Sequence, residues 1–145
     1  MQNQKGFTII ELIVVIAIIA VLATIVMVNV VQYIGKSKDA AIKGNMQTIA
    51  STAAGIFDTY KSYNNTATNS AVGNPTAANA INQINSLSSA SANTTAHNNT
   101  SSWCVCAQLT ANSANTYCVD GTGYKGESAN LCSARCSATS QNCGG

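Results

Sequence analysis

The chain has 145 residues and a formal net charge of +2, with 46% hydrophobic and only 8% charged residues. Its charges are unevenly placed: the first 61 residues hold five lysines and three acids, whereas residues 62–145 hold Lys125 and Arg135 against Asp120 and Glu127. The C-terminal part is therefore neutral and lacks the basic footprint of a DNA binder, so nucleic acid is not an expected partner.

In chain order, a short charged leader, Met1 to Gly6, precedes an apolar run from Phe7 to Val31, whose only strongly polar members are Thr8, Glu11, Thr24 and Asn29. As a helix rising ~1.5 Å per residue, that run reaches roughly 37 Å, enough to cross a hydrocarbon core about 30 Å thick. An ordinary secretory signal has a shorter apolar core followed by a small-residue cleavage site. A buried core helix is the other reading, but the rest of the sequence offers no large apolar domain to surround it. Glu11 stands out, because an ionised side chain in hydrocarbon normally persists through a partner that offsets its cost. It is a candidate functional residue on that ground alone. Orientation signals conflict: Lys5 precedes the span and Lys36, Lys38 and Lys43 follow it, which favours a cytoplasmic C-terminal side. Six cysteines between Cys104 and Cys143 point instead to disulfides in an oxidising compartment. The cysteines carry more weight.

The run Lys5-Gly6-Phe7-Thr8-Ile9-Ile10-Glu11-Leu12-Ile13-Val14-Val15-Ile16-Ala17-Ile18-Ile19 resembles the class III signal of type IV prepilins and of the pseudopilins of type II secretion. The resemblance covers about the first 30 residues. It implies that prepilin peptidase, an inner-membrane enzyme, cuts between Gly6 and Phe7 and that the new Phe7 amine is methylated, while the apolar run stays in the mature protein. It also implies a single-pass subunit of the inner membrane, with its C-terminal domain outside, that is taken up by an assembly platform. Within that reading, cleavage creates a cationic amine four residues from Glu11. In the family, the glutamate of an incoming subunit is thought to meet the N-terminal amine of a neighbouring one, so that charge pairing favours correct axial register.

Beyond the span, Ile42, Met46, Ile49, Ala53, Ile56 and Tyr60 recur every three or four residues as one helical stripe. No proline interrupts residues 7–60, so one helix continues through an amphipathic segment, 32–61, that covers a small domain. Many members of the family carry a helix-bending proline in the second half of the apolar region, and this chain has none there. Asp39 and Lys43, four apart, are expected to support one another on the exposed face. Gly35, Gly44 and Gly55 are expected weak points, each costing about 1 kcal/mol relative to alanine.

Residues 62–102 are rich in Asn, Ser, Thr and Ala, hold no charged residue, and read mostly as exposed loop. Asn74-Pro75 can cap and start a short helix over 76–88, with Ile81, Ile84 and Leu87 on one face. Sequons stand at Asn64, Asn93, Asn98 and Asn99, as expected by chance in such a tract. His97, the chain's single histidine, reads as a solvated loop residue. No nucleophile, base and orienting acid form a recognisable set, so the chain is not expected to be an enzyme or to hold a cofactor.

From Trp103 the pattern changes to strand alternation, with Trp103, Val105, Ala107 and Leu109 opposite in phase to Cys104, Cys106 and Gln108. After a polar connection at 110–115, Thr116 to Val119 return as a second strand of an antiparallel hairpin, ended by Asp120-Gly121 and Gly123. Cys104, Cys106, Cys118, Cys132, Cys136 and Cys143 permit 15 complete pairings. The favoured arrangement links Cys118 to Cys104 or Cys106, with one bridge inside the tail and one from the tail to the sheet. A zinc site competes weakly, since there is no Cys-x-x-Cys pair and one imidazole. Asp120 and Glu127, flanking a glycine-rich turn, resemble the calcium loop of some major pseudopilins and form the one candidate metal pair.

The expected fold class is α+β: a long N-terminal helix on a small, disulfide-stapled antiparallel sheet. The expected segments are a cleaved leader, 1–6; a membrane and filament-core helix, 7–31; its continuation, 32–61; a loop region, 62–102; and a cysteine-rich hairpin and tail, 103–145. Membrane lipid before assembly, and copies of the chain in a helical filament afterwards, are the expected partners. The filament is a pilus or, in the alternative reading, a periplasmic pseudopilus; a DNA-binding competence pilin is the third reading.

Overall fold

A computed structural model describes residues 6–66, 68–88 and 94–144. Met1–Lys5 of the expected leader and the sequon at Asn93 lie outside the described residues. The chain is α+β and divides into two units at the boundary between Ile34 and Gly35. Helix α1, Ile9–Tyr60, supplies an apolar segment to the first and an amphipathic one to the second. In the first unit the described large apolar side chains are exposed, from Phe7 at 78% through Ile34 at 50%. By length and composition this part of the helix can cross a membrane.

In the second unit, Ile42, Met46, Ile49, Ala53 and Ile56 of α1 are buried, as their spacing requires. Tyr60, expected on the same stripe, is exposed in the helix's last turn. Helix α2, Pro75–Leu87, begins as its sequence dictates, with Asn74 at the N-cap accepting from the Thr76 N–H at 2.9 Å and proline in the first turn. It buries Ala77, Ala80 and Ile84, whereas Ile81 and Leu87 are only partly covered.

The sheet is an antiparallel meander, β1-β2-β3-β4, formed by Thr95–Asn98, Trp103–Gln108, Thr116–Asp120 and Lys125–Ser128. The central hairpin of β2 and β3 follows the apolar alternation. The outer strands were not expected: β1 falls in the tract read as loop, and β4 in sequence read as turn and tail. His97 is therefore not a solvated loop residue. It is a partly buried strand residue, paired in register with Cys104. Trp103, Val105 and Ala107 of β2 and Val119 of β3 face the α1–α2 core, whereas the alternate residues Cys104, Cys106 and Cys118 face a second layer. A four-residue helix, α3, Cys132–Arg135, lies in that layer.

Asp39 and Lys43 do not pair with each other. The Asp39 carboxylate is buried and accepts from the Thr110 N–H at 2.5 Å, the Thr110 hydroxyl at 2.7 Å and the Ala111 N–H at 3.2 Å. Lys43 instead reaches Glu127 on β4 at 2.5 Å. The β2–β3 loop thus docks on the helix, and Gly35 lets it come close: a Cβ there would lie 3.2 Å from the Ala111 Cα. The Thr110 hydroxyl also lies 3.0 Å from the Gly35 carbonyl, an alternative acceptor for its one hydrogen, so this expected weak point is a docking position.

Candidate functional site

Helix α1 opens with a reciprocal cap. The Glu11 carboxylate accepts from the Thr8 backbone N–H at 2.8 Å and from the Thr8 hydroxyl at 2.7 Å, and the Glu11 N–H donates to Thr8 Oγ1 at 3.3 Å. This is the capping box, in which a Thr and a Glu three residues later each satisfy an otherwise unpaired N–H of the first turn. Glu11 therefore has a local partner that the sequence reading did not assign, although Thr8-Ile9-Ile10-Glu11 carries the signature. Gly6, Phe7 and Glu11 are all exposed, so the proposed cleavage bond and the carboxylate are open to protein or lipid neighbours.

The described residues of the first unit leave their apolar side chains without cover, a surface that lipid or other protein must complete. Residues 1–27 match the family model of the prokaryotic N-terminal methylation motif. The motif, the apolar helix and the α+β domain are consistent with a type IV pilin or pseudopilin, and the motif supports a pilin-like protein. No curated protein and no solved structure matched the chain. The motif implies processing by prepilin peptidase and assembly into a filament, and it fits insertion in a membrane.

In the second unit the six cysteines form three bridges, Cys104–Cys136, Cys106–Cys132 and Cys118–Cys143, with Cα separations of 5.7, 5.4 and 5.7 Å. This overturns the favoured cross-hairpin pairing and the bridge inside the tail. Cys106 and Cys118 do stand directly opposite in register. Opposed residues, however, hold their Cβ atoms about 4.5–5.5 Å apart and project in parallel, whereas a disulfide wants about 3.8 Å. The three sheet sulfurs consequently point away from the core and each meets a cysteine of the covering tail. An internal Cys132–Cys136 bridge fails for a related reason, since Cβ atoms one helical turn apart are about 5–6 Å distant.

The pairing has a signal in the spacing. Two residues along a strand advance roughly 6.6 Å and four along a helix roughly 6 Å, so Cys104 and Cys106 match Cys136 and Cys132 when the α3 segment runs antiparallel along β2. All six sulfurs are consumed, which removes the zinc alternative.

Asp120 and Glu127 do not converge on a calcium site. Asp120 shares a strand face with Cys118, while Glu127 is the register partner of Tyr117 on the opposite face. The Asp120 carboxylate accepts from the Thr122 N–H and hydroxyl, the Tyr124 N–H and the Cys143 N–H, and Glu127 is paired with Lys43. Of the two cations after residue 61, Lys125 donates to Gln47 of α1 at 2.6 Å, and Arg135 is buried beneath Tyr124.

Proposed function

We propose that the chain is a structural subunit of a type IV pilus or pilus-like filament. Prepilin peptidase cuts between Gly6 and Phe7, Phe7 is N-methylated, and the assembly platform draws the subunit from the inner membrane into a helical fibre. The observation that carries this reading is an exposed apolar helix inside an N-terminal methylation motif. Such a surface is covered by lipid before assembly and by the helices of other copies afterwards. A repeated interface along a rotation that does not close yields a fibre.

In this reading Glu11 serves twice. It caps its own helix through Thr8 and, once Gly6 has been removed, faces the Phe7 amine of a neighbour. The segments are then a discarded leader, 1–6, a filament-core helix, 7–31, and a displayed domain built on 32–61, 62–102 and 103–145. The three bridges suit a domain displayed in an oxidising compartment.

Pseudopilins share the same motif and assembly chemistry, so the location of the fibre separates the two. Electron microscopy of cells before and after shearing, with the chain followed by antibody, tests the proposal. Label along surface filaments that shearing removes supports a pilus. Label confined to the cell envelope would reject the surface pilus in favour of the secretion pseudopilus.

A further inference from the structure

Arg135, the chain's one arginine, is only 5% exposed, yet every acceptor it reaches among the described residues is neutral. Its Nε–H donates to the Cys143 carbonyl at 3.2 Å, and Nη1 donates to the Thr116 and Gly126 carbonyls, both at 3.3 Å. Nη2 donates to the Tyr124 hydroxyl at 3.0 Å. The ion pairs among the described residues are Lys43–Glu127 and Lys61–Asp58, neither of which involves it. Asp120, the buried acid on the same sheet face, takes its hydrogen bonds from four neutral donors and is joined to Arg135 only through the Cys143 backbone. A buried cation ordinarily has an anionic partner.

Arg135 borders a cavity of about 340 Å³, lined also by Tyr124, Ser128, Asn130, Ala134 and Gly144. Donors remain unspent there. The second Nη2–H has no partner among the described residues. The Tyr124 oxygen accepts from Arg135, which leaves its own O–H to donate, and Ser128 Oγ accepts from the Asn130 N–H, which leaves that hydroxyl hydrogen as well. Gly126 is what allows Tyr124 to reach the arginine, because a Cβ there would lie 2.5 Å from the Tyr124 hydroxyl.

We propose that this cavity binds a small organic carboxylate, held by Arg135 Nη2 and the Tyr124 hydroxyl. Two adjacent donors match the two oxygens of one carboxylate, and the guanidinium makes that pairing charge-assisted. The volume is at the low end of ligand pockets, suited to a molecule of the size of a uronic acid. The site does not depend on the filament reading, since all its residues belong to the second unit.

The test uses the full chain in detergent micelles, where one arginine gives one Nε resonance by nitrogen NMR. Titration with sodium glucuronate is expected to shift that resonance saturably, and sodium chloride at equal ionic strength is expected to leave it in place. Tyr124→Phe, which keeps the ring, should weaken binding about fivefold, the worth of one hydrogen bond. Gly126→Ala, which displaces the hydroxyl, should weaken it at least as much. Equal shifts with chloride, wild-type affinity in both variants, or tighter binding of inorganic phosphate than of glucuronate would overturn the assignment.

Discussion

The described large apolar side chains of residues 7–34 are exposed, whereas residues 35–144 bury a core between α1, α2 and one face of a sheet and cover the other face with disulfides. The difference teaches how one chain divides its labour. The first segment is apolar on all sides of its helix and holds nothing against which to pack, so its burial must come from lipid or other copies. The second has few large apolar side chains but closes its own core, and three covalent links hold the polar tail where hydrophobic burial would be weak.

If the first segment is built for neighbours, Glu11→Ala should have the largest effect. Filaments recovered by shearing are expected to vanish while the chain remains in the membrane fraction. Thr8→Ala separates the two duties of Glu11, since it removes the hydroxyl but keeps the carboxylate and the residue-8 N–H. It should retain filaments; equal loss in both variants would reduce Glu11 to a helix cap.

If the second segment is self-sufficient through its bridges, replacing Cys104 and Cys136 together by alanine should lower its stability by about 2–5 kcal/mol in a urea titration. An unchanged midpoint would make the sulfur layer dispensable. Asp39→Ala should cost less, about 1–3 kcal/mol, because it strips the acceptor from the Thr110 and Ala111 N–H groups. Hydrogen exchange at those two amides should accelerate. Lys43→Ala comes last, at about 0.2–1 kcal/mol, since its pairing with Glu127 is half-exposed and screened by salt.

The sequence disclosed most where a pattern is long or chemically unusual. The apolar run, the stripe from Ile42 to Ile56, the Asn74-Pro75 helix start and the alternation after Trp103 each repeat a period or place a residue with few other uses. Strands β1 and β4 were hidden because Thr95–Asn98 and Lys125–Ser128 are polar edge strands, held by backbone pairing that leaves little trace in side-chain type. Local proximity misled elsewhere. Asp39 and Lys43 are neighbours on the helix, but each finds a better partner in strands or loops distant in sequence.

The disulfides failed for the same kind of reason. Cysteines opposed across a hairpin look close, and only the tail's placement over the sheet shows that their sulfurs point elsewhere. At the N-terminus the charge of Glu11 is legible as unusual in an apolar run, whereas its pairing with Thr8 leaves only a two-residue signature, Thr8 and Glu11 three apart, inside a membrane-length segment.

The most direct test of the central claim is mass spectrometry of the N-terminal peptide of this chain from purified, sheared filaments. The account predicts a peptide that begins at Phe7 and carries one methyl group on its amine. A chain in those filaments that still begins at Met1, or filaments that lack the chain altogether, would contradict it.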